Sequence, residues 1–171
     1  MAAQILILGV GNVLFGDDAV GVEIVRRLQE IIPDDVAGDV EIVDGGTSGL
    51  YLLPLLERRR RVILVDAVDF KAAPGRFIEA SGDRIPRSIC TKLSEHQVNV
   101  HEILSLLELL DAMPGQLELI GIQPAQQRFA QPLSDEVRRA IPAVIERIIA
   151  RVREWKEREF DAADECAICA G

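Results

Sequence analysis

Two acidic side chains and one histidine, far apart along the chain, are of the types that together bind a transition metal ion. Asp18 follows the apolar run Ile5–Val10 and a glycine turn, and Asp66 ends a second apolar run that begins at Val62. His96, one of two histidines in the chain, lies in a short polar segment. Two carboxylates and one imidazole suit Zn²⁺, Ni²⁺ or Fe²⁺ and leave coordination positions open for water or substrate.

Asp18 has an acidic neighbour, Asp17, at the point where a helix is expected to begin. An acid in that position accepts hydrogen bonds from free backbone amides and complements the helix dipole. We therefore expect one aspartate to cap the helix and the other to face a cleft, and the spacing alone favours cap and ligand equally. His101 and His96 would face different directions on a helix, and His101 is interpreted as a surface residue.

The elements that would position these side chains alternate between apolar strands and amphipathic helices. Strands are predicted at 4–10, 40–43, 62–67 and 117–122, with an edge strand at 76–80, and helices at 17–32, 50–56, 97–112 and from 134 onward. This alternation predicts an α/β fold, a three-layer α/β/α sandwich with a mostly parallel twisted sheet. Ligands of such sheets bind at the carboxyl ends of the strands, where Asp18, Asp66 and His96 can gather.

The length of 171 residues predicts one domain. We assign residues 1–160 to this single α/β domain and residues 161–171, which are small and acidic, to a disordered C-terminal tail. Pro142 is expected to kink the last helix. The tail carries Cys166 and Cys169, a pair without the second pair that a structural zinc site needs.

The composition argues against several classes of partner. The formal net charge of −9 repels a phosphate backbone, so we expect no nucleic acid partner. No apolar run approaches the ~20 residues of a membrane-spanning helix, and the first residues show no basic leader segment. We therefore expect a cytoplasmic protein without a membrane partner.

The glycine turn also permits a nucleotide-binding interpretation. A dinucleotide fingerprint requires a third glycine where this chain has Leu14, and no lysine follows to form a phosphate-binding loop. Asp44, however, lies where an acid that binds ribose would be. Nucleotide binding therefore stays open as a second interpretation, whereas serine hydrolase chemistry lacks its Gly-x-Ser-x-Gly motif.

Several short motifs, taken in order, resemble one family. The segments that carry the resemblance are Gly9–Asn12, Asp17–Val22, Val43–Thr47, Leu64–Ala67, Pro74–Gly75, Lys92–Gln97 and Gly121–Pro124. Together they resemble the [NiFe]-hydrogenase maturation endopeptidases, and among these the subgroup that serves uptake-type hydrogenases. Such enzymes remove the C-terminal extension of the precursor large subunit after nickel insertion, which implies a protease-like domain.

The resemblance implies which residues act. Its metal-contacting and catalytic positions correspond to Asp18, Asp66 and His96, although many members have Glu at the first of these. A glycine-rich loop implicated in substrate handling corresponds to Asp44, Gly45, Gly46 and Thr47. The two glycines of this loop permit unusual backbone angles and close approach of a peptide.

The resemblance also implies that the nickel belongs to the substrate and that no organic cofactor is needed. The expected partner is the precursor large subunit of a [NiFe] hydrogenase. The protease itself is expected to be a monomer. Nickel would polarise a carbonyl or activate water, or would only hold the tail in register while a carboxylate acts as general base. The alternative function is a non-catalytic nucleotide-binding or hydrogenase-assembly module. Peptidyl-tRNA hydrolase, which opens similarly, needs an early histidine that this chain lacks.

Overall fold

The fold is built on one sheet, seen in a computed structural model that describes residues 4–82, 85 and 100–169. Its strands are β1 (Ile5–Val10), β2 (Val40–Gly46), β3 (Arg61–Ala67), β4 (Phe77–Ser81) and β5 (Gln116–Ile122). Their order across the sheet is β2-β1-β3-β5-β4. Neighbouring strands are parallel except for β4, which pairs antiparallel with β5 at one edge. The predicted edge strand is thereby confirmed.

Helices cover both faces of this sheet. The α-helices are α1 (Val20–Ile31), α2 (Asp34–Ala37), α3 (Leu53–Leu56), α4 (Val100–Leu109) and α5 (Asp135–Cys169), and short 3-10 helices span Gly16–Ala19 and Gly49–Leu52. None of the helices in the described part of the chain has an apolar stretch long enough to cross a membrane.

Successive residues of the central strands point to opposite faces and enter two separate cores. Ile5 and Ile7 belong to the core under α1 and α5, whereas Leu6 and Leu8 belong to the core under α3 and α4. All residues of β1 are buried, which is why this strand reads as a continuous apolar run. The three-layer α/β/α arrangement predicted from the sequence is confirmed.

The structure corrects three predicted boundaries. The helix predicted over 17–32 begins with a 3-10 turn, in which the Asp18 amide donates to the carbonyl of Phe15 at 3.2 Å and the Val20 amide donates to that of Asp17. Strand β2 continues through Gly46, so the predicted closing turn is part of the strand. Helix α2 was missed because it is a single turn, whose last two amides both donate to the carbonyl of Pro33.

The last helix is longer than the sequence indicates. Helix α5 contains Pro142 and continues to Cys169, whereas the sequence predicts a tail from Asp161. The disorder of residues 161–171 and a kink at Pro142 stay predictions.

Glycines allow the start of α1 to lie directly on the sheet. A Cβ on Gly21 would lie 2.3 Å from the carbonyl oxygen of Val65 and 2.4 Å from that of Val10. A Cβ on Gly9 would in turn lie 2.2 Å from the carbonyl oxygen of Gly21. Only hydrogen atoms fit in these gaps. The contact fixes the residues before α1 next to the carboxyl ends of β1 and β3.

We expect Gly21→Ala to lower the free energy of unfolding by about 3 kcal/mol, because a methyl group there must push α1 away from two strands. Gly38→Ala is a matched control, since Gly38 has a helical backbone conformation and nothing within 4 Å of an added Cβ. Urea denaturation measures both. A change at Gly21 as small as that at Gly38 would show that the close packing is not a constraint.

Candidate metal-recognition site

Asp18 is a buried carboxylate at the carboxyl edge of β1. It lies in the 3-10 turn before α1 and is 4% exposed. Its Oδ2 accepts a hydrogen bond from the Asn12 amide at 2.7 Å, and its Oδ1 accepts one from Gln127 Nε2 at 3.1 Å. Burial raises the pKa of Asp18, and these two hydrogen bonds oppose that effect.

Asp66 is the second carboxylate of this edge and lies near the end of β3. Its Oδ1 accepts a hydrogen bond from the Ala67 amide at 2.7 Å. Burial holds the pKa of Asp66 well above its usual range, and the charge of Asp18 raises this pKa further. The charge of Asp18 thus acts on Asp66, and the two residues belong to the carboxyl ends of neighbouring strands. The prediction that they contact one metal ion together with His96 stays a prediction.

Asp17 is fully buried and has a structural role in this fold. Its Oδ2 accepts hydrogen bonds from the amides of Ala125 and Gln126 and from the hydroxyl of Ser134 at 2.8, 3.0 and 2.9 Å, and its Oδ1 accepts one from the Ser134 amide at 2.6 Å. The Ser134 hydroxyl oxygen accepts the Val137 amide of α5 at 3.4 Å. Asp17 therefore holds the loop after β5 against the start of α1.

The expectation that one aspartate caps the following helix was wrong. Neither the 3-10 turn nor α1 has a side-chain cap. Asp17 instead binds amides from a distant loop, and Asp18 binds the Asn12 amide before the turn. The two neighbours diverge in this way because successive residues of a tight turn point their side chains in different directions.

Sequence reasoning missed the contribution of the loop after β5. Gln127 donates to Asp18, and Gln123 accepts the amides of Phe70 and Ala72 at 2.9 and 3.2 Å. Gln123 also donates to Asp69 at 3.1 Å. The side-chain hydrogen bond from Lys71, followed by this bond from Gln123, lowers the pKa of Asp69 to about 2. A run of polar residues directly after a buried strand, at the edge where ligands bind, was the available signal.

The segment predicted as a glycine-rich loop, Asp44 to Thr47, is in the structure the carboxyl end of β2 and the residue after it, and β2 is the other neighbour of β1. Asp44 pairs with Arg26 of α1, whose guanidinium nitrogen lies 2.8 Å from Oδ2, and both side chains are partly exposed. Gly45 is buried, and Gly46, with φ of 48°, accepts a hydrogen bond from the Gly11 amide at 3.0 Å. Thr47 is exposed. A role of this loop in substrate handling stays a prediction.

The third predicted ligand, His96, lies outside the described residues. Within the described part of the chain, no group of three or more His, Cys, Asp or Glu side chains is arranged to hold a metal ion. A metal-contacting role of Asp18, Asp66 and His96 stays a prediction. Among the described residues, Asp66 Oδ1 and the two carboxylate oxygens of Asp18 each accept one hydrogen bond, which leaves lone pairs available.

Fold and site define an α/β protein with two interacting carboxylates at the carboxyl edge of a mostly parallel sheet. Residues 22–151 match the family model of the hydrogenase maturation proteases, HycI. The chain belongs to this family, and it is an endopeptidase by that membership. The family resemblance and the enzyme class expected from the sequence are confirmed, and the nucleotide-binding or assembly module is not favoured.

Relatives and solved structures agree with this assignment. HupD of Rhizobium leguminosarum bv. viciae, a hydrogenase expression/formation protein, is 36% identical over 156 residues, which cover 90% of this chain and 76% of HupD. The hydrogenase 2 maturation protease of Escherichia coli (strain K12) is 37% identical over 154 residues, covering 88% and 92%. The structure of the maturating endopeptidase HybD from E. coli is similar with a TM-score of 0.75 at 36% identity, covering 88% and 92%.

We expect Asp17→Asn to lower the free energy of unfolding by about 2 kcal/mol, because the new amide group points its N–H bonds at backbone donors and leaves one of them unpaired. Asp34→Asn is the control, since Asp34 is an exposed acid of α2, and its effect is expected to stay below about 0.5 kcal/mol. Urea denaturation compares the two. Equal small effects would contradict a structural role for Asp17.

We expect Asp66→Asn to raise the free energy of unfolding at neutral pH in metal-free buffer. The folded-state pKa of Asp66 lies above its ordinary value of 3.8, so the native protein loses stability as the pH rises through that raised pKa. A neutral asparagine does not ionise and still accepts the Ala67 amide. Urea denaturation at several pH values should show a gain that vanishes in acid, and a pH-independent gain would contradict this account.

Proposed function

We propose that this protein removes the C-terminal extension from the precursor large subunit of a [NiFe] hydrogenase after nickel insertion, and that it recognises the nickel through Asp18, Asp66 and His96. The observation that supports this most directly is the Asp18–Asp66 pair. These are two partly dehydrated carboxylates whose charges repel each other at the edge where α/β proteins bind ligands. Family membership supplies the reaction class.

The pair favours a cation for an electrostatic reason. Without a cation, the charge of Asp18 raises the cost of ionising Asp66, because both carboxylates are at least partly removed from water. A divalent ion between them replaces that repulsion with attraction. A precursor that carries nickel therefore gains binding energy that a nickel-free precursor does not gain, and this difference is the basis of selection.

His96 is the third ligand in this proposal. It lies outside the described residues and precedes Val100, the first residue of α4, by four residues. Its assignment rests on the family resemblance of the segment Lys92–Gln97.

The chemistry divides between substrate and enzyme. Nickel is carried by the precursor and supplies Lewis acidity or a fixed register for the tail, and the enzyme needs no organic cofactor. Asp18, held by Asn12 and Gln127, orients the metal. Asp66, with its raised pKa, is the side chain best suited to take a proton.

The remaining parts of the proposal concern the substrate-contacting segment, the oligomeric state and the location of the protein. The loop Asp44, Gly45, Gly46 and Thr47 contacts the substrate from the β2 side of the site. The protein acts as a monomer in the cytoplasm, and the precursor large subunit is its partner. Neither nucleic acid nor a membrane takes part.

The test is a cleavage assay on purified precursor large subunit, prepared with and without nickel and read by intact mass. We expect loss of the C-terminal extension only from the nickel-loaded form. Asp66→Asn and His96→Ala should each reduce the rate by about 100-fold or more, because each removes a group that acts on the metal or the reacting bond. Asp34→Asn, the exposed acid of α2, should cleave at the unaltered rate.

Two results would overturn the proposal. Equal cleavage of nickel-free and nickel-loaded precursor would show that nickel is not recognised. No cleavage of a verified, nickel-loaded cognate precursor would remove the protease function itself. A melting temperature of each variant that is no lower than that of the unaltered protein separates loss of chemistry from loss of fold.

A further inference from the structure

Three large apolar side chains are exposed beside Asp18. Val13 is 49% exposed, Leu14 is 56% exposed and Phe129 is 65% exposed. Val13 and Leu14 follow β1, and Phe129 lies in the loop after β5, so all three belong to loops at the carboxyl edge of the sheet. We refer to these three residues as the apolar rim.

The two loops of the apolar rim form one surface. The Ala130 amide donates to the carbonyl of Leu14 at 2.8 Å. The rings of Phe15 and Phe129 meet edge to face, with centroids 5.5 Å apart. A backbone hydrogen bond and an aromatic contact therefore connect the loop after β1 to the loop after β5, and the apolar rim lies on these two loops.

The same two loops hold Asp18. Asn12, directly before the rim residue Val13, donates its amide to Asp18 Oδ2 at 2.7 Å, and Gln127, two residues before Phe129, donates to Oδ1 at 3.1 Å. A macromolecule that brings a metal ion to Asp18 must approach these loops. The rim is thus continuous with the candidate site.

We propose that the apolar rim of Val13, Leu14 and Phe129 docks an apolar segment of the precursor large subunit beside the nickel that Asp18 contacts. The inference rests on the proposed function and adds the surface on which the substrate is seated. Exposed apolar side chains lose contact with water when an apolar partner covers them, and this loss favours association without any charge on the partner.

A second copy of this chain is a poorer occupant than the precursor. A dimer that buried the apolar rim would also cover the loops around Asp18 and would close the site to a large substrate. A precursor segment, in contrast, covers the rim and reaches the site in the same binding event.

Two other exposed apolar residues supply matched controls. Ile31 is 58% exposed at the end of α1, and Leu109 is 81% exposed at the end of α4. Both helices run back from the carboxyl edge toward the start of the next strand, so their ends lie at the opposite edge of the sheet. Serine at either position removes a similar apolar side chain far from Asp18.

The experiment measures how tightly each variant binds precursor large subunit purified without nickel, which the enzyme is expected to bind without cutting. We expect Leu14→Ser and the double variant Val13→Ser/Leu14→Ser to weaken binding by about tenfold or more, and Ile31→Ser and Leu109→Ser to leave it unchanged. Phe129→Ser is a third variant, and because Phe129 packs on Phe15, its melting temperature must be checked.

Cleavage of nickel-loaded precursor gives an independent readout. The rim variants should raise KM and leave kcat unchanged, because the docking contact is the same in the bound substrate and in the transition state. Cleavage by the unaltered protein tests the proposed function, whereas the ratio of rim to control variants tests the rim. The two can therefore fail separately.

Three outcomes would overturn the docking surface. The first is rim variants that bind and cleave like the Ile31 and Leu109 controls. The second is a loss of self-association in sedimentation by the rim variants without any loss of precursor binding, which would assign the rim to a second copy. The third is an unaltered protein that binds neither form of the precursor.

Discussion

The close contact between the start of α1 and the sheet is the constraint on which the site depends. Gly21 touches the backbone of β1 and β3, and only a residue without a Cβ allows this. Because α1 lies so close, the turn before it must pass directly over the carboxyl ends of the two strands. Asp18 in that turn is thereby brought to Asp66, and two acids far apart in sequence become one electrostatic unit.

A second consequence is that the adjacent residues Asp17 and Asp18 have different roles. Asp17 is surrounded by amides and a hydroxyl from the loop after β5, which satisfy its buried charge. Among the described residues, Asp18 receives two donors, and its pKa is raised by burial. The well-satisfied carboxylate therefore stabilises the loops, and the less satisfied one remains available to a cation. Stability and recognition are divided between two neighbouring residues.

The loop after β5 connects these roles. Through Gln123 it holds the turn after β3, through Asp17 it is held to the start of α1, and through Gln127 it contacts Asp18. Phe129 and its contact with Phe15 extend the same loop into the exposed apolar surface. A single loop at the edge of the sheet thus joins the fold, the two acids and the surface that meets a partner.

The sequence by itself determined the sheet, its mostly parallel strands and the acids that end them, because apolar periodicity and strand-to-helix alternation are local properties of the chain. It also determined the family, through motifs such as Gly9–Asn12 and Leu64–Ala67. Tertiary structure alone decided that Asp17 supports a loop while the charge of Asp18 acts on Asp66, and that Gln127 contacts Asp18. These outcomes depend on the direction of each side chain and on hydrogen bonds between residues more than a hundred positions apart. Neither can be predicted from the local spacing of residues in the sequence.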